Sequence, residues 1–183
     1  LLDEQDSCPN EAGIPELKGC PAKDTDGDTV SDHLDNCINQ AGPADNQGCP
    51  AAQKQLIVIK QDRIDIKDMV YFDSGKATIQ ARSNALLDQM AKVLAEHPEI
   101  TKVIIEGHTD DRGPVEFNRT LSQQRAEAVR DYLVKKGLAT ERFEAKGFGP
   151  DRPLQPNTTS QGRAANRRVD FLTRYAEDGA KQP

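Results

Sequence analysis

The residues best suited to chemistry lie in "EGHTDDRGPVEFNRTLSQQRAEAVRDYL", residues 106–133. At about 100° per residue, Leu121, Ala128, Val129 and Tyr132 share one narrow sector of a helix, and Arg125 falls inside it. A guanidinium in an apolar stripe needs a partner or an open edge, because burying it unpaired is costly. Asp110 is the candidate partner. It follows an apolar run at the point where the chain turns toward this helix. Two arrangements fit. Asp110 and Arg125 either form an ion pair that pins the turn, or stand side by side and bind a zwitterion. In the second, the carboxylate takes an ammonium and the guanidinium fork takes a carboxylate. Thr109 and Asn118 could add neutral hydrogen bonds, and the amides at the helix start could help hold an anion.

A second candidate lies in "DTDGDTVSDHLD", residues 24–35. Asp24, Asp26 and Asp28 at alternate positions can aim carboxylates at one point if the backbone curls. A carbonyl from Val30, then Asp32 directly or through water, and Asp35 as the closing residue complete the order of an oxygen-rich calcium loop. Two features depart from a tight site: Thr29 stands where Gly makes the sharp turn, and Asp35 is shorter than the closing Glu. The alternative is a solvated acidic linker.

This acidic stretch sits within an internal repeat. "DEQDSCPNEAGIPELKGCP" aligns with "DHLDNCINQAGPADNQGCP" at a period of 29. The stretch matching the acidic loop in the first copy would precede Leu1, so the sequence reads as an excised piece of a longer array. All four cysteines lie in the repeat. Cys8 and Cys20 share their spacing with Cys37 and Cys49, and evenly spaced cysteines in a coreless segment indicate disulfides and an oxidising compartment. Three connectivities exist, of which the two local bridges are expected. A four-cysteine zinc site fits poorly without a C-x-x-C pair.

Composition sets the frame for both sites. Residues 1–50 carry 11 acidic and 2 basic side chains, whereas residues 51–183 carry 19 and 22, so the net charge of −6 belongs to the repeat. Scattered basic residues with 4 % aromatics argue against nucleic acid. The longest apolar runs, 56–59 and 69–72, fall far short of the roughly 20 residues of a membrane helix. An enzyme would need a nucleophile, and no G-x-S-x-G occurs; His33, His97 and His108 are scattered, with His108 read as a structural strand-end residue.

The elements that must position Asp110 and Arg125 start at Gln55. "QLIVIK" and "RIDIK" read as a hairpin across Gln61 and Asp62, and "MVYFD" as a further strand. Leu86, Leu87, Met90, Val93 and Leu94 recur at helical spacing, with Ser83 as N-cap and Pro98 as the stop. "KVIIEGH" is apolar on both faces, as in a covered central strand. The Arg125 helix ends at Gly137, "FEAKGFG" and "VDFLTRY" are strands, and a disordered tail is expected from Ala176. The whole is an α+β chain, a two-layer α/β sandwich. Its expected divisions are a repeat segment at 1–50, a linker or hairpin at 51–63, a domain at 64–175 and a tail at 176–183.

Two resemblances follow. Residues 1–50 resemble thrombospondin type 3 repeats, in their short bacterial form that tethers envelope domains, where calcium and disulfides stiffen a coreless segment. From about Ile64 to Tyr175, "VYFDSGKATI", "GHTDDRG", "LSQQRAEAVRDYL", "ERFEAKGFG" and "GRAANRRVDF" resemble the OmpA-like C-terminal domain. That resemblance implies a mixed sheet with helices on one face. It also implies non-covalent binding of peptidoglycan through the meso-diaminopimelate of its stem peptides. The family's key acid and base match Asp110 and Arg125, and its pocket edge matches Phe72 and Asp73. Thr109 and the region of Asn118, Leu121 and Ser122 line the pocket, while Asn166 and Arg167 are expected to be structural. The resemblance further implies a periplasmic location and an upstream outer-membrane β-barrel of the porin kind, outside this fragment. The rival readings are a peptidoglycan hydrolase and a calcium-dependent adhesion module for another envelope protein. A lipoprotein is disfavoured, because "EQDS" before Cys8 is no lipidation signal.

Overall fold

The computed structural model describes residues 8–14 and 17–175. The first acidic residues of the repeat and the tail expected to be disordered at 176–183 lie outside the described residues.

Five strands form one mixed sheet in the order β1-β2-β5-β3-β4. β1 (Ile57–Ile59) and β2 (Arg63–Ile66) are the expected hairpin, paired Ile57 with Ile66 and Ile59 with Ile64. β2 runs antiparallel to the last strand, β5 (Val169–Tyr175). The central strand β3 (Ile100–His108) lies antiparallel to β5 and parallel to β4 (Phe143–Gly149). The sheet therefore reaches back to Ile57, upstream of the boundary read at Ile64. The hairpin is part of the folded unit because Ile57, Ile59 and Ile64 are buried in the same core as β3.

Three α-helices accompany the sheet. α1 (Asn84–Glu96) buries Leu86, Leu87, Met90, Ala91, Val93 and Leu94, the expected stripe. Ser83 precedes it, but its hydroxyl accepts from the Tyr71 amide at 2.8 Å instead of capping the helix. α2 (Val115–Lys135) crosses β3 and β4. α3 (Ser160–Asn166) has no apolar period and was not read as a helix; the Thr159 hydroxyl caps it by accepting from the Gly162 amide. No described helix is long and apolar enough to cross a membrane.

One expected strand is absent from the sheet. "MVYFD" makes only an isolated bridge, Phe72 with Ile79, closed by the Gln80 amide on Tyr71 and the Asp73 amide on Thr78. Met69, Val70, Tyr71 and Phe72 line a cavity instead of pairing in a ladder, and of these Val70 is buried.

The repeat's second half packs directly on the sheet. Cys37 and Cys49 are buried and bridged, and a second disulfide joins the partly exposed Cys8 and Cys20. Asn36 donates to the Gln55 side chain and to the Ile57 carbonyl. His97, fully buried after α1, faces the Asp35 carbonyl through Nε2 at 2.7 Å and the Glu99 carboxylate through Nδ1 at 2.6 Å.

Candidate functional site

Two glycines let α2 lie close to the C-terminal ends of β3 and β4. A Cβ on Gly107 would collide with the Ser122 carbonyl, and one on Gly147 with the Gln123 amide. Ser122 fixes this seat: its hydroxyl accepts from the Gly149 amide at 2.8 Å and donates to the Arg119 carbonyl. It is fully buried and belongs to the wall behind the site, not to its lining.

A cavity of about 470 Å³ opens where β3 ends, lined by the loop at 69–75, the Thr109–Asp110 turn, the first half of α2 and the two arginines before β5, Arg167 and Arg168. Phe72, Thr109, Asp110, Asn118, Leu121 and Arg125 all line it. Asp73 does not. Its carboxylate accepts from Gln80 within the loop's own turn, because the Phe72–Ile79 bridge turns the side chain outward from the cavity.

The turn holds Asp110 tightly. The Thr109 amide donates to the Gly149 carbonyl, and the Thr109 hydroxyl to the Asp110 carbonyl. Asn118 donates to the Arg112 carbonyl at 2.8 Å, closing the loop onto α2. Asp110 Oδ1 accepts from the Arg112 amide at 3.0 Å.

Asp110 and Arg125 do not form an ion pair. Asp110 Oδ2 pairs with Arg167 Nη1 at 2.6 Å. Arg125 donates from Nε to the Lys76 carbonyl at 3.0 Å and lies over the Phe72 ring at 4.9 Å. Burial lowers its pKa, the positive charge of Arg167 lowers it further, and nearby Asp110 opposes both. The buried face of α2 runs through Asn118, Leu121, Ser122, Ala126, Val129 and Leu133, so its centre is turned by roughly 70° from the sector read in the sequence. Arg125 lies half-buried between Leu121 and the rest of that face, on the side that lines the cavity.

Arg167, read in the sequence as structural, lines the cavity. It follows Asn166, which is the structural anchor expected: its side chain accepts from the amides of Leu154 and Gln155 and donates to Gln155 and Asn157. Arg167 instead points to the cavity, as the pair of basic residues after a buried Asn could have suggested. His108 is buried as a strand-end residue, stacked on Phe148 and facing the Asp170 carboxylate at 3.4 Å.

The OmpA family model matches residues 71–167, which include all of the cavity wall but Met69, Val70 and Arg168. The chain belongs to the OmpA family. Outer membrane porin F of Pseudomonas fluorescens is 43 % identical over 101 residues, 55 % of this chain and 31 % of the porin. The peptidoglycan-associated lipoprotein of Rhizobium meliloti is 37 % identical over 91 residues, 50 % of this chain and 51 % of that protein. The chain thus spans about a third to a half of these relatives. The crystal structure of the peptidoglycan-associated lipoprotein from Burkholderia pseudomallei superposes with a TM-score of 0.54 at 37 % identity, covering 59 % of this chain and 92 % of that one. The cell wall anchor of the type VI secretion system from Pseudomonas aeruginosa gives 0.56 at 30 % identity, covering 67 % and 90 %. With relatives named as outer membrane proteins and peptidoglycan-associated lipoproteins, this OmpA-family domain is periplasmic and attached to the outer membrane.

The acidic loop is a second candidate site. Ligand oxygens of Asp24, Asp26 and Asp28 lie within 4.8 Å of one another. Asp26 Oδ2 and Asp35 Oδ2 are buried without a hydrogen-bond partner, as oxygens suited to a cation would be. Burial pushes the Asp35 carboxyl up to about 6, with Asp28 and Asp26 adding to the shift and the Cys37 amide opposing it. Thr29 holds the left-handed turn at φ +76°, the conformation for which Gly is ordinarily needed. Asp32 stands apart from the cluster: both its oxygens accept from Thr25. Val30 is tied in through its amide, which donates to Asp28.

Proposed function

We propose that this chain holds the outer membrane to the cell wall by gripping peptidoglycan non-covalently through meso-diaminopimelate. The free end of that residue carries an ammonium and a carboxylate on one carbon. Asp110 takes the ammonium and the Arg125 fork takes the carboxylate, with Phe72 holding the guanidinium from behind. The observation that carries this reading is Arg125 itself. It is half-buried beside Asp110 in one cavity, and among the described residues no carboxylate lies within ion-pair distance of it. A lysine-type stem peptide would leave that buried charge uncompensated, so the site discriminates by omission.

The role is one of binding without a chemical step. The acidic loop takes calcium through Asp24, Asp26 and Asp28, with Asp35 beside them, and stiffens the segment that carries the domain. An upstream outer-membrane β-barrel completes the proposal. Isolated diaminopimelate-type sacculi should sediment the protein, and Asp110→Ala or Arg125→Ala should abolish this. Added salt should weaken binding only in part, because the cavity shelters the charges. Normal co-sedimentation of both variants overturns the reading, and release of labelled wall fragments overturns the absence of hydrolysis.

A further inference from the structure

Asp35 belongs to the acidic loop and to the junction with the sheet at once. It is 1 % exposed. Its Oδ1 accepts from the Cys37 amide at 2.7 Å, while Oδ2 is buried with no hydrogen-bond partner. Burial disfavours the charge of this carboxylate, the Cys37 amide favours it, and the charges of Asp28 and Asp26 disfavour it further. A Cβ on Gly48 would collide with the carboxylate, so the chain closes over it there. The Asp35 carbonyl instead faces His97 Nε2 at 2.7 Å, across the junction. The next residue continues the contact: buried Asn36 donates to the Ile57 carbonyl of β1 at 3.0 Å. The loop also runs beside that strand, with Thr29, Val30 and Ser31 lining one groove of about 560 Å³ together with Val58 and Ile59.

Backbone amides shape the rest of the loop. Asp24 accepts from Gly27 and Thr29, and Asp28 from Val30 and Gly42. These donors carry no full charge, so the carboxylates stay uncompensated by them, and Oδ2 of Asp26 and of Asp35 have no donor at all. We infer that the cation seat of this loop and the docking of the repeat on the OmpA-family domain form one coupled unit, with Asp35 as the shared residue. Asp35 stands outside the triad of Asp24, Asp26 and Asp28. Its carboxylate is relieved of their repulsion, directly or through a water, when a divalent cation sits among them. That relief fixes the residue whose carbonyl holds His97. The coupling is reciprocal: calcium tightens the junction, and the docked junction holds Asp35 in place and raises the affinity for calcium.

This inference rests on the calcium reading of the loop. Titration calorimetry with calcium chloride, on the whole chain stripped by chelator, tests it. His97→Leu and Asn36→Ala each break one tether to the domain and remove no oxygen from the triad. Both should bind calcium about tenfold more weakly than the wild type. In the wild type, calcium should slow hydrogen exchange at the amides of Cys37 and His97 as well as at residues 24–35. Thermal melts in chelator check that the variants fold, and the exchange measurement needs no variant. Unchanged calcium affinity in both variants, or protection confined to residues 24–35, overturns the coupling and leaves the calcium reading standing. No binding heat and no calcium-dependent melting shift in the wild type overturn the calcium reading and this inference with it. The wall-binding reading stands apart from both outcomes.

Discussion

The imidazole of His97, at the end of α1, bridges the Asp35 carbonyl and the Glu99 carboxylate with no exposed surface of its own. Both neighbours are acceptors, so both ring nitrogens donate together only as imidazolium. One histidine thus fastens the disulfide-clipped repeat to the OmpA-family domain. His97→Leu should leave the buried Asp35 carbonyl without a donor and cost about 2–3 kcal/mol. Hydrogen exchange should then speed up at residues 36–50 and stay slow in β3.

The same junction predicts acid sensitivity. Burial works against the Glu99 charge, but the His97 hydrogen bond and charge outweigh it and hold the carboxyl below the ordinary glutamate range. A depressed folded pKa contributes stability above the unfolded value, lost as pH falls through the folded one. Urea midpoints should therefore drop more steeply below about pH 4 in the wild type than in Glu99→Gln.

Gly107→Ala places a methyl against the Ser122 carbonyl, which belongs to helix backbone and cannot swing aside. Overpacking of this kind should cost about 1–3 kcal/mol and lift α2 from the sheet. Co-sedimentation with sacculi should fall even where the variant remains folded, because Arg125 and Asn118 ride on the displaced helix.

Much of this was legible in the sequence, and the exceptions share a cause. β3, α1 and α2 are long enough for their apolar period to reveal them. "MVYFD" misled because four apolar residues in a row mark a cavity rim as well as a strand. α3 is short and polar, held by the Asn166 amide and by Gly162 against Pro156, which leaves no periodic trace. Asp110 and Arg125 stood out as charges beside apolar runs. Arg167 did not, because its relation to Asp110 spans 57 residues and exists only once β5 pairs with β3. Asp32 fitted the calcium spacing, but the nearby Thr25 supplies two donors that claim it.

Asn166→Ala should be among the most damaging single changes in the domain. It removes a fully buried side chain whose oxygen accepts from the amides of Leu154 and Gln155 together, for a loss of about 1–3 kcal/mol, read in a thermal melt.

Calcium should raise the melting temperature if the acidic loop takes it as proposed. At a hundredfold excess over Kd the gain is about 2.7 kcal/mol, or roughly 5–10 °C for a chain of this size. Asp26→Asn should erase the calcium effect and, by removing one of the clustered negative charges, melt higher than the wild type in chelator.

β3 joins two attachment points. Ile100, at its start, follows the His97 junction with the repeat, and His108, at its end, opens into the cavity. A strand of nine residues spans about 30 Å between them. Tension between a gripped wall and the repeat would run lengthwise along this strand. Sliding β3 out would have to shear its ladders to β4 and β5 all at once, whereas an edge strand pulled sideways peels one bond at a time. The topology therefore sets the direction in which the anchor is strong.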